Sequence, residues 1–440
     1  MSKLIRINTK IKNFDKTIKV SGDKSLSIRW VLFSSMAQGK SKAYNLLLSE
    51  DVLAALETVK KLGIKVKLNK NHCIIIGNGF GGYKYKKNIT INSKNSGTLA
   101  RLIMGILVDT PYKIKIIGDK SLSKRDFYRI AEPLSRFGAQ IKLTKKGLPL
   151  TMVGNKKPHP IKYLENRGSA QCKSSVILAG LKTEGKTFIK AKKSRNHTEL
   201  LCKHLNLPIK IKKNKKYDLI EINKAKRIKP LNYKIPSDIS SAAFFIVLTA
   251  LLDNSKLLIR NVNINSSRIG IITILKKMGV NIKFKNKQNY KGETSADIFV
   301  DSSKKLKAIN CPTELNSGAI DEFLIIFLVA AKANGISYFK DIGELNQKES
   351  PRLKWGSKIL NKMGIKTAVT SNSIKIFGNP NLKISKKITI KDYLKDHRIF
   401  MTSVVAASTF GGTWEIHDKD SIKTSFPSFL DIVNDIKNSV

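Results

Sequence analysis

Lys24, Ser25 and Arg29 place two cations and a hydroxyl at the start of an apolar run that continues through Trp30, Leu32, Phe33 and Met36. Ser25 and Arg29 are four apart and share a face if the run is helical. A helix N-terminus offers free N–H groups and the positive end of the helix dipole, so the cluster suits an anion. Taken alone, the stretch also fits an N-capped surface helix with two ordinary basic residues. Polar and charged residues recur at such starts, however. Asn95-Ser96-Gly97-Thr98 with Arg101, Ser169-Ala170-Gln171 with Lys173, Asp321-Glu322 and Asp396-His397-Arg398 each open another apolar run. Helix capping accounts for Ser240 and Asp396. It does not account for cations at helix starts, where they oppose the dipole; such a local conflict marks function more often than stability. Converging helix starts would line a cleft with N–H groups and cations.

Two further segments add polar groups. Gly118-Asp119-Lys120-Ser121-Leu122-Ser123-Lys124-Arg125 is a strongly polar loop ahead of an amphipathic helix. Lys348-Glu349-Ser350-Pro351-Arg352 opens another, with Ser350 placed as N-cap and Pro351 as first helical residue. Glu349 among these cations is either a surface ion pair, worth up to about 1 kcal/mol, or a carboxylate for acid–base work. His72, His159, His204 and His417 stand alone, and no His, Cys and carboxylate group has metal-ligand spacing. No serine sits in a Gly-x-Ser-x-Gly turn, which argues against a Ser–His–Asp hydrolase.

These residues need a scaffold, and the sequence repeats one. Six apolar runs begin near Lys24, Asn95, Ser169, Ser240, Ala319 and Asp396, about 70–80 residues apart, a spacing suited to a repeated α/β unit. Their low charge predicts buried helices. Amphipathic helices follow at 57–62, 129–137, 199–205, 270–278 and 353–363, and the last unit, near 429–436, is truncated. Gly63, Gly138, Gly279 and Gly364, with Asn206 in the third unit, are C-terminal stops. Alternating strands come next, as in Ile64-Lys65-Val66-Lys67-Leu68 and Val280-Asn281-Ile282-Lys283-Phe284. Six units divide as three plus three, with Pro236 marking the crossing; the first strand, to about Val20, fits either half.

Composition agrees with a two-domain α/β enzyme. The chain has 440 residues and 41% hydrophobic content, with no stretch long and uncharged enough to span a membrane. Cys73, Cys172, Cys202 and Cys311 are dispersed, and the first residues lack a signal peptide's apolar core, so a reduced cytoplasmic enzyme is expected. A net charge of +50 raises nucleic acid, anionic membranes and anionic substrates. The lysines are dispersed, and no zinc-finger or aromatic RNA-binding signature accompanies them. Background composition and steering of anionic ligands are the readings that fit.

In this order, the motifs resemble the 5-enolpyruvylshikimate-3-phosphate synthase family of enolpyruvyl transferases. The resemblance rests on Gly22-Asp23-Lys24-Ser25, Asn95-Ser96-Gly97-Thr98, the 118–125 loop, Ser169-Ala170-Gln171-Cys172-Lys173-Ser174 and Ser194-Arg195-Asn196-His197-Thr198-Glu199. It continues through Asp238-Ile239-Ser240-Ser241-Ala242, Ile320-Asp321-Glu322, Lys348-Glu349-Ser350, Asp396-His397-Arg398 and Ser425-Phe426-Pro427. It implies an α/β (α+β) protein of two inside-out α/β barrel domains, each a threefold helix/strand repeat, with the active site in the interdomain cleft. The implied domains are 21–235 and 1–20 plus 236–440. The implied reaction transfers the enolpyruvyl group of phosphoenolpyruvate to the 5-hydroxyl of shikimate 3-phosphate by addition and elimination, releasing phosphate.

By carry-over, Lys24, Ser25, Arg29, Ser169, Ala170, Gln171, Arg195, Asp321 and Lys348 hold shikimate 3-phosphate. Lys24, Asn95, Gly97, Thr98, Arg125, Gln171, Arg352 and Arg398 hold phosphoenolpyruvate. Asp321, Glu349 and Lys24 are the implied catalytic groups: Asp321 takes the hydroxyl proton, and Glu349, with Lys24, serves C3. No metal or organic cofactor is implied. Partners are the two substrates and glyphosate as inhibitor, with no nucleic acid or membrane; a cytoplasmic monomer is expected. The chain departs from the family pattern at Ser21, Ile28, Pro351 and Phe400, the last placed to crowd Arg398, and Thr424 stands where some members carry lysine. Two rivals share the architecture. A UDP-N-acetylglucosamine enolpyruvyl transferase needs a loop cysteine that Cys73 and Cys172 do not supply, and an RNA-associated protein has only charge in its favour.

Overall fold

The computed structural model describes residues 3–302 and 305–438. They form two compact units. One, the N-terminal unit, comprises Gly22–Ile235 and Asn289–Glu293; the other, the C-terminal unit, comprises Met1–Ser21, Pro236–Gln288 and Thr294–Val440.

In the N-terminal unit three helices, Lys24–Met36, Gly97–Ile106 and Ala170–Gly180, lie inside one apolar cluster. Apolar and small residues surround each helix, so no face needs water. Each begins at a polar cap: Asp23 accepts the Leu26 N–H at 2.8 Å, Ser96 that of Leu99 at 3.2 Å, and Ser169 that of Cys172 at 3.3 Å. Such a cap contributes about 1 kcal/mol. Three four-stranded sheets cover the helices. Ile89–Asn92 pairs in parallel with Ile114–Ile117, and Lys162–Glu165 with Thr187–Lys192, so the second and third buried helices are crossovers between neighbouring strands. The first sheet receives its outer parallel strand from Tyr233–Lys234, which pairs with Gln38–Tyr44 and returns the end of the chain to its beginning.

The C-terminal unit repeats this plan around Ile239–Leu251, Phe323–Lys332 and His397–Phe410. The sequence near the start of the chain reads as one strand but forms two. Ile5–Ile7 pairs with Thr413–Ile416, and Asp15–Ile18 with Lys256–Asn263. Two helix starts also differ from the sequence reading. Asp238, not Ser240, caps the fourth buried helix, because its carboxylate reaches the Ser240 N–H at 2.7 Å. The fifth run is broken: Asn316–Ala319 is a separate short helix, and Glu322 is the N-cap of the next without a capping bond.

The outer helices Glu50–Lys61, Tyr128–Arg136, His197–His204, Gly270–Lys277 and Arg352–Lys362 end where expected. Gly63, Asn206, Gly138, Gly279 and Gly364 follow with φ of 83°, 53°, 98°, 91° and 89°, the left-handed stop that glycine and asparagine tolerate. The dispersed lysines have a structural use as well. Lys65, Lys67, Lys142, Lys210, Lys212, Lys283, Lys285 and Lys287 are exposed on strands at sheet edges, where charge discourages pairing with another chain. Among the described residues no helix is long and apolar enough to cross a membrane.

Candidate active site

At the helix starts of the N-terminal unit, side chains tie the three buried helices together. Lys24 opens the first helix and its Nζ lies 3.1 Å from Asp51 Oδ2. Arg29 is buried and donates from Nε to Thr198 Oγ1 at 2.8 Å and from Nη2 to Ser174 Oγ at 3.2 Å. Its Nη1 donates to the Ser25 carbonyl at 3.1 Å, the four-residue spacing on one helical face. The second and third helices meet through Gln171, which donates to Thr98 Oγ1 at 2.9 Å and accepts from Arg101 Nη1 at 2.5 Å. Arg101 also stacks over the Phe127 ring. Asn95 accepts from Arg125 at 3.1 Å and donates to Asp119 at 2.7 Å, which brings the 118–125 loop to the second helix. That loop contains a short helix, Lys120–Ser123, capped by Asp119.

Gly97 lies beneath these arginines. A Cβ there would stand 2.8 Å from Arg101 Nη1 and 3.2 Å from Arg125 Nη1. Ser169 and Ala170 begin the third helix, and the loop before them is fixed by Glu165, which accepts the N–H groups of Arg167 and Ser169 at 3.1 and 3.0 Å. Burial raises the Glu165 pKa, against the opposing pull of those N–H groups and of Lys173. Arg195 sits in the loop between Thr187–Lys192 and His197–His204. Lys173 does not line the surface, although the sequence groups it with the other cations. It is fully buried and paired with Glu199 at 2.6 Å.

The C-terminal unit gathers carboxylates and cations densely. Asp396 caps the sixth helix by accepting the Arg398 N–H at 2.9 Å. It also binds Arg352 in the bidentate manner that guanidinium favours, at 2.8 and 3.1 Å, and accepts from Ser350 Oγ at 2.8 Å. Ser350 therefore does not cap the Arg352–Lys362 helix; its hydroxyl serves Asp396, and Pro351 takes the N-cap position. The Arg352 Nη2 that binds Asp396 also contacts Glu349, and the remaining Nη1 donates to Asp321 at 3.5 Å. Lys348 is 3.4 Å from the same Asp321 oxygen. Burial alone would lower the Arg352 pKa, but the Asp396 and Glu349 carboxylates outweigh it and hold the guanidinium above its ordinary value. Arg398 is buried with Nη1 3.7 Å from Glu322. Phe400 points into the apolar core and is fully buried, so it does not crowd Arg398 from the polar side.

Each unit thus presents its own cluster of cations, polar groups and carboxylates at helix starts. The EPSP synthase (3-phosphoshikimate 1-carboxyvinyltransferase) family model matches residues 8–433. The chain belongs to this EPSP synthase family. Among curated relatives, the 3-phosphoshikimate 1-carboxyvinyltransferase of Ruthia magnifica is 39% identical over 420 residues, 95% of this chain and 94% of the relative. Among solved structures, EPSP synthase from Acinetobacter baumannii is 33% identical with a TM-score of 0.86, covering 98% of both chains. The enolpyruvyl transferase NikO from Streptomyces tendae, at 13% identity and a TM-score of 0.78, shares the fold. As an EPSP synthase the chain transfers the enolpyruvyl group of phosphoenolpyruvate to shikimate 3-phosphate in the shikimate pathway.

Some residues that shape these clusters carried no sequence signal for their role. Asp51 lies in the first turn of an outer helix, and nothing in its spacing links it to Lys24. Thr198 and Ser174 belong to motifs singled out on other grounds, yet they hold Arg29. Asp396 reads as a cap, and its grip on Arg352 appears only in the fold.

Proposed function

We propose that the residues assigned by the family motifs divide the reaction between anion recognition and proton transfer. Lys24, Ser25, Arg29, Ser169, Ala170, Gln171 and Arg195, with Asp321 and Lys348, hold shikimate 3-phosphate. Lys24, Asn95, Gly97, Thr98, Arg125 and Gln171, with Arg352 and Arg398, hold phosphoenolpyruvate. The observation that carries this reading is Arg352, fixed by Asp396 and contacting both Asp321 and Glu349. One guanidinium keeps two candidate acid–base carboxylates in register while remaining charged.

In the addition step Asp321 takes the 5-hydroxyl proton as that oxygen bonds to C2 of phosphoenolpyruvate, and Glu349 gives a proton to C3. In the elimination step C3 returns a proton to Glu349, the C2–O bond to the phosphate breaks, and the phosphate leaves with the electron pair. Lys24 and the arginines stabilise the charge that develops on the departing phosphate. Glyphosate competes at the phosphoenolpyruvate position, where Gly97, lacking a methyl group, leaves Arg101 and Arg125 undisturbed. The working form is a monomer in the cytoplasm, a reading supported by four buried thiols in no disulfide; sedimentation at assay concentration tests the first point. The reaction is tested by mixing protein, shikimate 3-phosphate and phosphoenolpyruvate and following phosphate. Release that depends on both substrates is expected, and none above blank overturns the reading.

A further inference from the structure

Glu322 is the N-cap residue of the fifth buried helix, yet its carboxylate makes no capping bond. An acidic side chain at that position ordinarily gains from the helix dipole and the free N–H groups. This one is 1% exposed and turns elsewhere. It accepts a hydrogen bond from Ser240 Oγ, and its Oε1 lies 3.7 Å from Arg398 Nη1. Ser240 Oγ in turn accepts from Arg268 Nη2 at 2.7 Å, and the same nitrogen is 3.5 Å from Asp238. Arg268 is itself 2% exposed. The result is a buried line of alternating charge and hydroxyl, Asp238–Arg268–Ser240–Glu322–Arg398, running across the starts of the fourth, fifth and sixth buried helices.

A buried carboxylate is costly unless it is paired and hydrogen-bonded. Here Arg268, through Ser240, and Arg398 share one. Glu322 pairs with the Arg398 guanidinium at Nη1, on one side, which leaves its other donors for a ligand. Arginine held on one side before binding loses less side-chain freedom when an anion arrives. We infer that Glu322 and Arg268 are positioning residues for Arg398, holding its guanidinium ready for the anionic three-carbon substrate. This rests on the assignment of Arg398 to phosphoenolpyruvate.

The sign of the effect is diagnostic. If Glu322 merely offset positive charge, its removal would strengthen anion binding. If it orients Arg398, its removal weakens phosphoenolpyruvate binding despite the gained positive charge. The test compares Glu322→Gln, Ser240→Ala and Arg398→Lys by KM for each substrate and kcat, with a melting curve for each variant. Glu322→Gln is expected to raise the phosphoenolpyruvate KM about tenfold, as for a lost charge-assisted contact, with the shikimate 3-phosphate KM within about twofold. Ser240→Ala, a gentler change, is expected to shift the same constant by about two- to threefold, as for one neutral hydrogen bond. Combining Glu322→Gln with Arg398→Lys is expected to cost less than the sum of the two, since both act through one guanidinium. An unchanged or lowered phosphoenolpyruvate KM in Glu322→Gln overturns the inference, and Ser240→Ala decides it if Glu322→Gln does not fold. Should Arg398→Lys itself leave that KM unchanged, the assignment of Arg398 fails instead.

Discussion

The two units share one plan but carry different side chains at its helix starts. In the N-terminal unit the helix starts are joined mostly by arginine, glutamine and hydroxyl groups: Arg29 to Thr198 and Ser174, Gln171 to Thr98, Arg125 to Asn95. Its buried carboxylates serve structure, Glu165 on backbone N–H groups and Glu199 on Lys173. In the C-terminal unit Asp321, Glu349 and Asp396 all meet Arg352, and Glu322 meets Arg398. A surface that receives anions needs cations and neutral donors, whereas proton transfer needs carboxylates placed among cations. The repeated architecture supplies helix starts to both units; on the proposed assignment, the side chains at those starts divide the tasks.

The contrast breaks most decisively at the carboxylates. Asp321→Asn and Glu349→Gln are each expected to lower kcat by about 10²–10⁴-fold with both KM values within about threefold, as for loss of a general acid or base. Steady-state phosphate release measures this, and a change confined to KM would move these residues to the binding side. Lys24→Met should lower kcat as well, because Lys24 alone in its unit is assigned to both substrates and to the chemistry. Arg29→Lys is expected to do the opposite of Asp321→Asn. It loses planar contacts to Thr198 and Ser174, so the shikimate 3-phosphate KM should rise about 10–100-fold while kcat holds.

Smaller effects sharpen the comparison. Gly97→Ala sets a Cβ against Arg101 and Arg125, and Arg101 holds Gln171, so the phosphoenolpyruvate KM should rise by about three- to tenfold. The glyphosate inhibition constant should rise at least as much; equal inhibition of both proteins would detach Gly97 from the inhibitor. The weakest effect concerns Glu165, whose pKa in the fold lies above its ordinary value of 4.5 through burial. Between that value and the raised one the folded state binds the proton more strongly than the unfolded state. The contribution is therefore fully present below pH 4.5 and is lost as pH rises through the folded pKa. Relative to Glu165→Gln, wild-type protein should lose Tm as pH rises across this window. Parallel Tm curves would show that Glu165 does not titrate there.

Much of the fold was legible because it depends on local rules. Buried helices announce themselves by uncharged runs, and their ends by caps and left-handed glycines, as at Gly63, Gly138, Gly279 and Gly364. The errors fall where a side chain prefers a distant partner to its own helix. Ser240 and Ser350 look like caps, but they bind Glu322 and Asp396. Lys173 looks like a surface cation, but Glu199 compensates its burial. Local chemistry cannot foresee such choices, because the competing partner is many residues away in the chain.

The sequence by itself determined the repeated helix and strand units, the positions of the helix starts and the types of groups there. Motif order carried it further, to the family and its reaction. Which of those groups face one another was decided only by the tertiary structure. Lys24 and Asp51, Arg352 and Asp396, and Glu322 and Arg398 come together because the starts of separate helices, buried and outer, pack against one another within a unit. Periodicity records how a segment folds on itself. The pairing of charges depends on distances in space, which no spacing along the chain encodes.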